Sequence, residues 1–306
     1  MKTILITGIS GFAGNNLAAY LLHHTHWKIL GSSRRKEFSV DHTNIKLVPA
    51  DSRMWDEEKI DAVIHLAGIA HDLSGEFVSA DYEKVNVEGT KRLVDEFIKS
   101  KASIFIFISS IKAVADHSDV VLDELAAPRP QTDYGKSKRK AEQYIISRQI
   151  SDKSFYILRP AMMYGPTNKG NLNLLYRFVK SGWPFPLGAF QNLRSFLSVE
   201  NFSFVIRSII EGKLQPGTYH VADSGFLSTN ELYALIADVS GIKNRNWKLP
   251  KKIIQWAATL TGQTNRLNKL TENMMVSNNK LIQQMGCDLP VSLNEGLRNV
   301  IKNWNV

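Results

Sequence analysis

The stretch Lys2-Thr3-Ile4-Leu5-Ile6-Thr7-Gly8-Ile9-Ser10-Gly11-Phe12-Ala13-Gly14 decides how this chain is read. A short apolar run ending in glycine suits a strand buried on both faces of a parallel sheet. Leu17, Leu21 and Leu22 then recur at helical spacing. Between strand and helix, Gly8, Gly11 and Gly14 form G-x-x-G-x-x-G. A turn of this kind tolerates unusual backbone angles and leaves bare backbone close to a pyrophosphate. It also aims the unpaired N–H groups of a helix N-terminus at that anion. Gly8, Gly11, Phe12, Ala13 and Gly14 are therefore expected to cradle a dinucleotide.

Strand-like runs follow at 28–31, 45–48, 62–66, 104–108 and 155–158, with helical stretches at 82–98 and 134–147. Strands alternating with helices predict an α/β protein, a doubly wound parallel sheet of the Rossmann kind. That domain is expected over 1–160. Beyond Arg159 the texture changes, with Pro160, Gly165, Pro166, Gly170, Pro184, Pro186 and Gly188 punctuating the chain. Residues 161–306 read as a smaller mixed α/β substrate lobe, some of whose later segments return to the first domain. One strand-like run, 217–221, is placed in that lobe.

The second strand should end near Ser32. A carboxylate there would bond the ribose 2′-hydroxyl of NAD, whereas an arginine pairs with a 2′-phosphate. The sequence has Ser33-Arg34-Arg35, which favours NADP over NAD. Asp51-Ser52, after the third strand, is placed at the adenine edge. Tyr134 and Lys138 stand four apart on a helix and so share a face. A free phenol titrates near 10, and a nearby ammonium is expected to lower that value. Tyr134 then serves as general acid/base, and Lys138 also holds the nicotinamide ribose. Ser110, at the end of the fifth strand, bonds the same substrate oxygen, with Ser109 beside it.

The formal charge of +9 gives a basic surface suited to a polyanionic small molecule. No zinc finger, aromatic-basic pattern or recognition helix points to nucleic acid. The single cysteine, Cys287, excludes an internal disulfide framework and fits a reducing compartment. No apolar run reaches the ~18 residues of a membrane span, and the N-terminal run breaks into glycine too early for a signal peptide. A cytoplasmic protein with no membrane partner is expected. The stretch 248–260 reads as a proline-started amphipathic helix. His23, His24 and His26 lack carboxylate companions and read as solvated, so no metal site is expected.

Taken in order, these segments resemble the extended short-chain dehydrogenases/reductases of the NAD-dependent epimerase/dehydratase family. The resemblance rests on residues 7–14, His65-Leu66-Ala67-Gly68, Val85-Asn86-Val87-Glu88-Gly89-Thr90, Phe107-Ile108-Ser109-Ser110, Tyr134-Gly135-Lys136-Ser137-Lys138, Arg159-Pro160 and Tyr164-Gly165-Pro166. It implies that Ser110, Tyr134 and Lys138 are catalytic. It places Leu66, Ala67, Gly68, Asn86, Ser109, Tyr134, Lys138 and Pro160 around NADP or NAD.

The segments around Asn171 and Arg194 resemble those that embrace the diphosphate of a nucleotide sugar, with Arg266 a looser candidate. Lys112 is expected to face the sugar. The family's 4,6-dehydratases carry an Asp-Glu pair after the catalytic Ser/Thr, where this chain has Ile111-Lys112; dehydration is therefore not expected. The expected reaction is reduction of a UDP-linked 4-ketosugar. The alternatives are 4-epimerisation, a non-sugar carbonyl substrate, and dinucleotide binding as a sensor without chemistry. Relatives of this kind dimerise through two long helices, for which 83–99 and 134–149 are the candidates.

Overall fold

Side chains of the first strand, β1 (Thr3–Thr7), alternate between two cores. Ile4 and Ile6 enter one face of a central sheet and Leu5 the other, as a period of two requires. The structure is a computed structural model. It describes residues 1–33, 45–48, 58–70, 77–168 and 171–304, with all their side chains save those of Asn171, Asn265 and Arg266. The expectations for Arg34, Arg35, Asp51 and Ser52, and for the side chains of Asn171 and Arg266, lie outside the described residues.

The sheet continues through β2 (Lys28–Ser32), β3 (Ile45–Leu47), β4 (Ala62–His65), β5 (Ile104–Ile108), β7 (Ser154–Pro160) and β10 (Gly217–Val221). All seven strands are parallel, in the order β10-β7-β5-β4-β1-β2-β3. Strand order reverses at β1, with β2 on one side and β4 on the other. A crevice opens at such a switch point beyond the carboxyl ends of the strands, and Gly8 and Leu66 emerge there. Two parallel pairs lie outside the sheet: β6 (Ser118–Leu122) with β11 (Met274–Val276), and β8 (Met162–Tyr164) with β9 (Phe196–Ser198).

On one face, α1 (Phe12–His24) brings Leu17 and Leu21, and α6 (Val199–Ile210) brings Phe202, Val205, Ile206 and Ile209. On the other, α3 (Gly89–Lys99) and α4 (Asp133–Ser147) contribute Leu93, Val94, Phe97, Ala141 and Ile145. The helix expected over 82–98 is composite. A short α2 (Ser79–Tyr82) passes through a π-helical segment, Glu83–Glu88, into α3. Wider turns of this kind bulge a helix locally and recur at functional sites; this one carries the buried Asn86.

The remaining lobe holds α5 (Asn171–Lys180), α7 (Thr229–Val239), α8 (Lys251–Leu260), α9 (Thr264–Thr271) and α11 (Leu293–Lys302). Tyr164, Val179, Phe185, Tyr233, Ile236 and Leu297 lie in its core. A further helix, α10 (Asn279–Met285), rests on β10. Residues 217–221, assigned to this lobe from sequence, instead form the edge strand of the main sheet, with Tyr219 opposite Leu158. An unpaired β7 would leave a row of backbone groups open, and β10 closes that edge. Among the described residues, no helix is long and apolar enough to cross a membrane.

Candidate active site

Two glycines in the first turn are held by backbone packed too close for a side chain. Gly8 has φ 73°, and a Cβ on it would sit 2.7 Å from the Ala67 nitrogen. On Gly14 it would sit 2.4 Å from the Gly8 oxygen. Gly11 begins α1 with no side-chain cap, so the N–H groups of Phe12, Ala13 and Gly14 lack intrahelical partners. This bare, donor-lined turn fits the pyrophosphate of a dinucleotide. Ser33, beyond β2, is hydrogen-bonded to Ser10 across the turn at 2.5 Å. Gly14→Ala presses a methyl into fixed backbone. It is expected to destabilise the protein by about 1–3 kcal/mol and to weaken dinucleotide binding; thermal unfolding and a cofactor titration check both.

The loop after β4 is tied to this turn by a chain of oriented hydrogen bonds. The Thr90 hydroxyl donates to the Asn86 carbonyl at 2.6 Å and so accepts from His65 Nε2 at 2.9 Å. His65 Nδ1 is left to accept from the Thr7 hydroxyl at 2.7 Å, which itself accepts from the Ala67 N–H at 3.3 Å. Burial, followed by the charge of Lys138, pushes the imidazole down to about 3, so it stays neutral. Asn86 accepts from Ile69 N at 2.8 Å and donates to the Ser137 hydroxyl at 3.0 Å. The π-helical segment thereby joins the Leu66-Ala67-Gly68 loop to α4. Gly68 lies beside Asn86 Oδ1 and Lys138 Nζ, and Pro160 ends β7, buried.

Helix α4 starts at a Thr132 cap, whose hydroxyl accepts from Gly135 N and donates to Asp116 at 2.8 Å. Gly135 lets this end press against the turn after Ser110; a Cβ there would lie 2.4 Å from the Lys112 oxygen. Tyr134 is thereby brought within hydrogen-bonding reach of Ser110. Ser110 itself caps the short helical turn Ile111–Ala113, accepting from Lys112 N at 3.2 Å. Tyr82 of α2 lies alongside, its ring centroid 6.4 Å from that of Tyr134.

The electrostatics differ from the expectation that Lys138 lowers the phenol. Burial of the Tyr134 hydroxyl dominates and pushes it up to about 12, with the Ser110 hydrogen bond opposing. Lys138 is itself pushed down to about 8 by burial, against the pull of Glu142. Its Nζ donates to the Ile108 carbonyl at 2.8 Å and lies 4.8 Å from the Phe107 ring centroid. The resting site thus holds a protonated phenol.

Behind it lies a buried ion network. Tyr134, Lys138 and Glu142 follow one another every four residues along α4. Glu142 accepts from the Ser109 hydroxyl at 2.6 Å, from Arg159 Nε at 2.9 Å and Nη2 at 2.8 Å, and from Arg139 at 3.1 Å. Ser109, expected beside the cofactor, therefore directs its hydroxyl into this network. Arg159 also reaches His220 Nε2 at 3.4 Å, and burial lowers the His220 pKa. The neutral ring then accepts there and donates Nδ1–H to the Leu122 carbonyl.

A second group of charges joins Lys112, two residues after Ser110, to residues of the C-terminal lobe. The Lys112 ammonium is pushed down chiefly by burial. Asp116 opposes that shift, and the charges of Lys269 and Arg194 add to it. Three cations thus feel one another at one place, two of them expected from sequence. Lys269 was missed because a lone lysine on a helix carries no local signature. Arg194 donates to the Lys269 carbonyl, while its buried Nε has no hydrogen-bond partner among the described residues. A planar, permanently charged donor left open this way suits a phosphate oxygen.

A parallel sheet with a dinucleotide turn at its switch point, and a Ser-Tyr-Lys set beside that turn, defines a nicotinamide-dependent short-chain dehydrogenase/reductase. The chain belongs to the NAD dependent epimerase/dehydratase family, whose pattern matches residues 4–222. It is 30% identical to a UDP-glucose 4-epimerase of Vibrio cholerae, over 97% of this chain and 94% of that one. It is 25% identical to a GDP-6-deoxy-D-mannose reductase of Pseudomonas aeruginosa, over 99% and 97%. The Bordetella bronchiseptica enzyme WbmG, solved with NAD, superimposes with a TM-score of 0.79 at 19% identity, covering 98% of this chain and 92% of that one. Its relatives include nucleotide-sugar epimerases, reductases and dehydratases as well as sterol dehydrogenases.

Proposed function

We propose that the chain exchanges a hydride at C4 of a nucleotide sugar, UDP-linked, and works as a 4-ketosugar reductase. The observation that carries this reading is the meeting of Tyr134 with Ser110 at the end of β5, with Lys138 one helical turn further along α4. Reducing a ketone needs a proton donor at its oxygen, and a phenol near 12 keeps its proton throughout the neutral range. The bound dinucleotide supplies the hydride. Tyr134 gives its proton to the C4 oxygen, Ser110 hydrogen-bonds that oxygen, and Lys138 holds the nicotinamide ribose. Arg194 and Lys269 take the diphosphate end of the substrate, and Lys112 beside them faces the sugar. Ile111-Lys112 offer no carboxylate to eliminate water, so 4,6-dehydration is not part of the proposal.

A second reading, 4-epimerisation, is favoured by the 30% identity to the Vibrio cholerae 4-epimerase. The two part on the cofactor. A reductase consumes exchangeable NAD(P)H in proportion to ketosugar, whereas an epimerase keeps stoichiometric NAD through purification and interconverts sugars with no net change in it. Mass spectrometry of the denatured protein and a stoichiometric NADPH assay with a UDP-4-ketosugar decide between them. Arg34→Asp with Arg35→Ser is expected to raise the Kd for NADPH more than that for NADH. An equal rise for both would remove the arginine argument for NADP. Dimerisation through residues 83–99 and 134–149 belongs to the same proposal and is read by light scattering.

A further inference from the structure

The hairpin of α8 and α9 has an unusual charge balance. Residues 239–271 hold seven lysines and arginines and no aspartate or glutamate. They supply +7 of the chain's +9, which leaves the rest of the chain at +2. Asp238, just before this stretch, is paired with Arg298 at 3.0 Å. Lys243, Arg245, Lys248, Lys251 and Lys252 are exposed, so the stretch presents unbalanced positive charge.

The same hairpin carries an apolar stripe turned to solvent. Ile254 and Ala258 of α8 pack into the C-terminal lobe. Ile253, Trp256 and Leu260, spaced three and four apart, share a different face and are 58%, 67% and 66% exposed. Trp247 and Leu249, just ahead of the helix, are exposed as well. The 245–247 segment is hydrogen-bonded to the chain at Phe185, two residues from the exposed Trp183. Lys248 and Lys252 flank the stripe in solvent, while Lys251 lies over the Phe190 ring at 5.6 Å.

We propose that α8 docks this protein on an anionic lipid surface. Indoles favour the headgroup level of a bilayer, aliphatic side chains enter the acyl boundary below it, and lysines meet lipid phosphates. These three elements occur here on one short helix and its lead-in. A second copy of the chain is a poorer occupant. A two-fold contact would set one basic stretch against the other with no carboxylate in either to pair them, and lysine is depleted in the cores of protein interfaces. Docking is independent of the reaction at Tyr134.

The test is flotation of the full chain with vesicles of phosphatidylglycerol and phosphatidylcholine, against phosphatidylcholine alone, with tryptophan emission read in parallel. The protein is expected to float with the anionic vesicles, less so as salt rises, and its emission to shift to the blue. Ile253→Ser with Trp256→Ser, and separately Lys248→Glu with Lys252→Glu, should each lower the bound fraction by about tenfold. Both should keep wild-type thermal stability and wild-type turnover of a soluble substrate. The proposal is overturned if the wild type stays with the unbound fraction at low salt. It is also overturned if only the charge variant loses binding, since that is non-specific adsorption of a basic protein. The third contrary result is a non-floating wild type whose dimer becomes monomeric in the apolar variant; the stripe would then join two copies.

Discussion

Replacing Tyr134 by phenylalanine is expected to lower turnover by about 10²–10⁴-fold while leaving dinucleotide affinity unchanged. The ring, and with it the packing beside Tyr82, is retained. What is lost is the hydroxyl proposed to pass a proton to the substrate oxygen, together with its hydrogen bond to Ser110. The turn proposed to hold the cofactor is built from other residues, Gly8 to Gly14, so binding and chemistry should separate. Steady-state turnover with a UDP-4-ketosugar and a fluorescence titration of NADPH measure the two. Wild-type turnover in the variant would take Tyr134 out of the chemistry. A parallel loss of cofactor affinity would make it a binding residue instead. Ser110→Ala removes one hydrogen bond to the same oxygen and should reduce turnover less.

Glu142→Ala is expected to destabilise the fold by about 3–5 kcal/mol, the usual cost of breaking a buried ion pair from one side. Glu142 is fully buried and is bonded to Ser109, Arg139 and Arg159. Without it, Arg159 of β7 remains charged in the core, with His220 of β10 as its neighbour. Urea unfolding monitored by circular dichroism measures the loss. The double variant Glu142→Leu, Arg159→Met should recover much of it, since removing both charges leaves none unpaired. If the double variant is as unstable as the single one, the damage comes from packing and hydrogen bonds. Glu142 also acts on the site, because its carboxylate opposes the burial that pushes Lys138 down. Glu142→Gln should therefore lower the Lys138 pKa further, which an NMR titration of the lysine can follow.

The parts of this protein legible in its sequence are those whose partners lie close along the chain. An apolar run, a glycine turn and a helix are contiguous, so Gly8, Gly11 and Gly14 announced the tight turn between β1 and α1 and the parallel sheet. Tyr134 and Lys138 are one helical turn apart, so their shared face followed from spacing alone. Gly135 is an intermediate case. The sequence shows a glycine beside the tyrosine, but only the approach of the Lys112 carbonyl explains why no side chain fits there.

Contacts across long stretches of chain had no such signal. Nothing local marks residues 217–221 as the strand that closes the β7 edge of the sheet, because a short strand reads the same in either lobe. Nothing marks Glu142 as the partner of Ser109 and Arg159, or Lys269 as the neighbour of Lys112 and Arg194. The level of the Tyr134 pKa was misread for a related reason. Spacing predicts that an ammonium is near, but not how much water the fold removes from the hydroxyl; here burial pushes the phenol up, and what opposes it is the Ser110 hydrogen bond and not a cation. The order of residues settled the turn and the sheet type. Folding decided which distant charges meet and how dry they are, because burial and long-range proximity are properties of the packed chain and not of any segment of it.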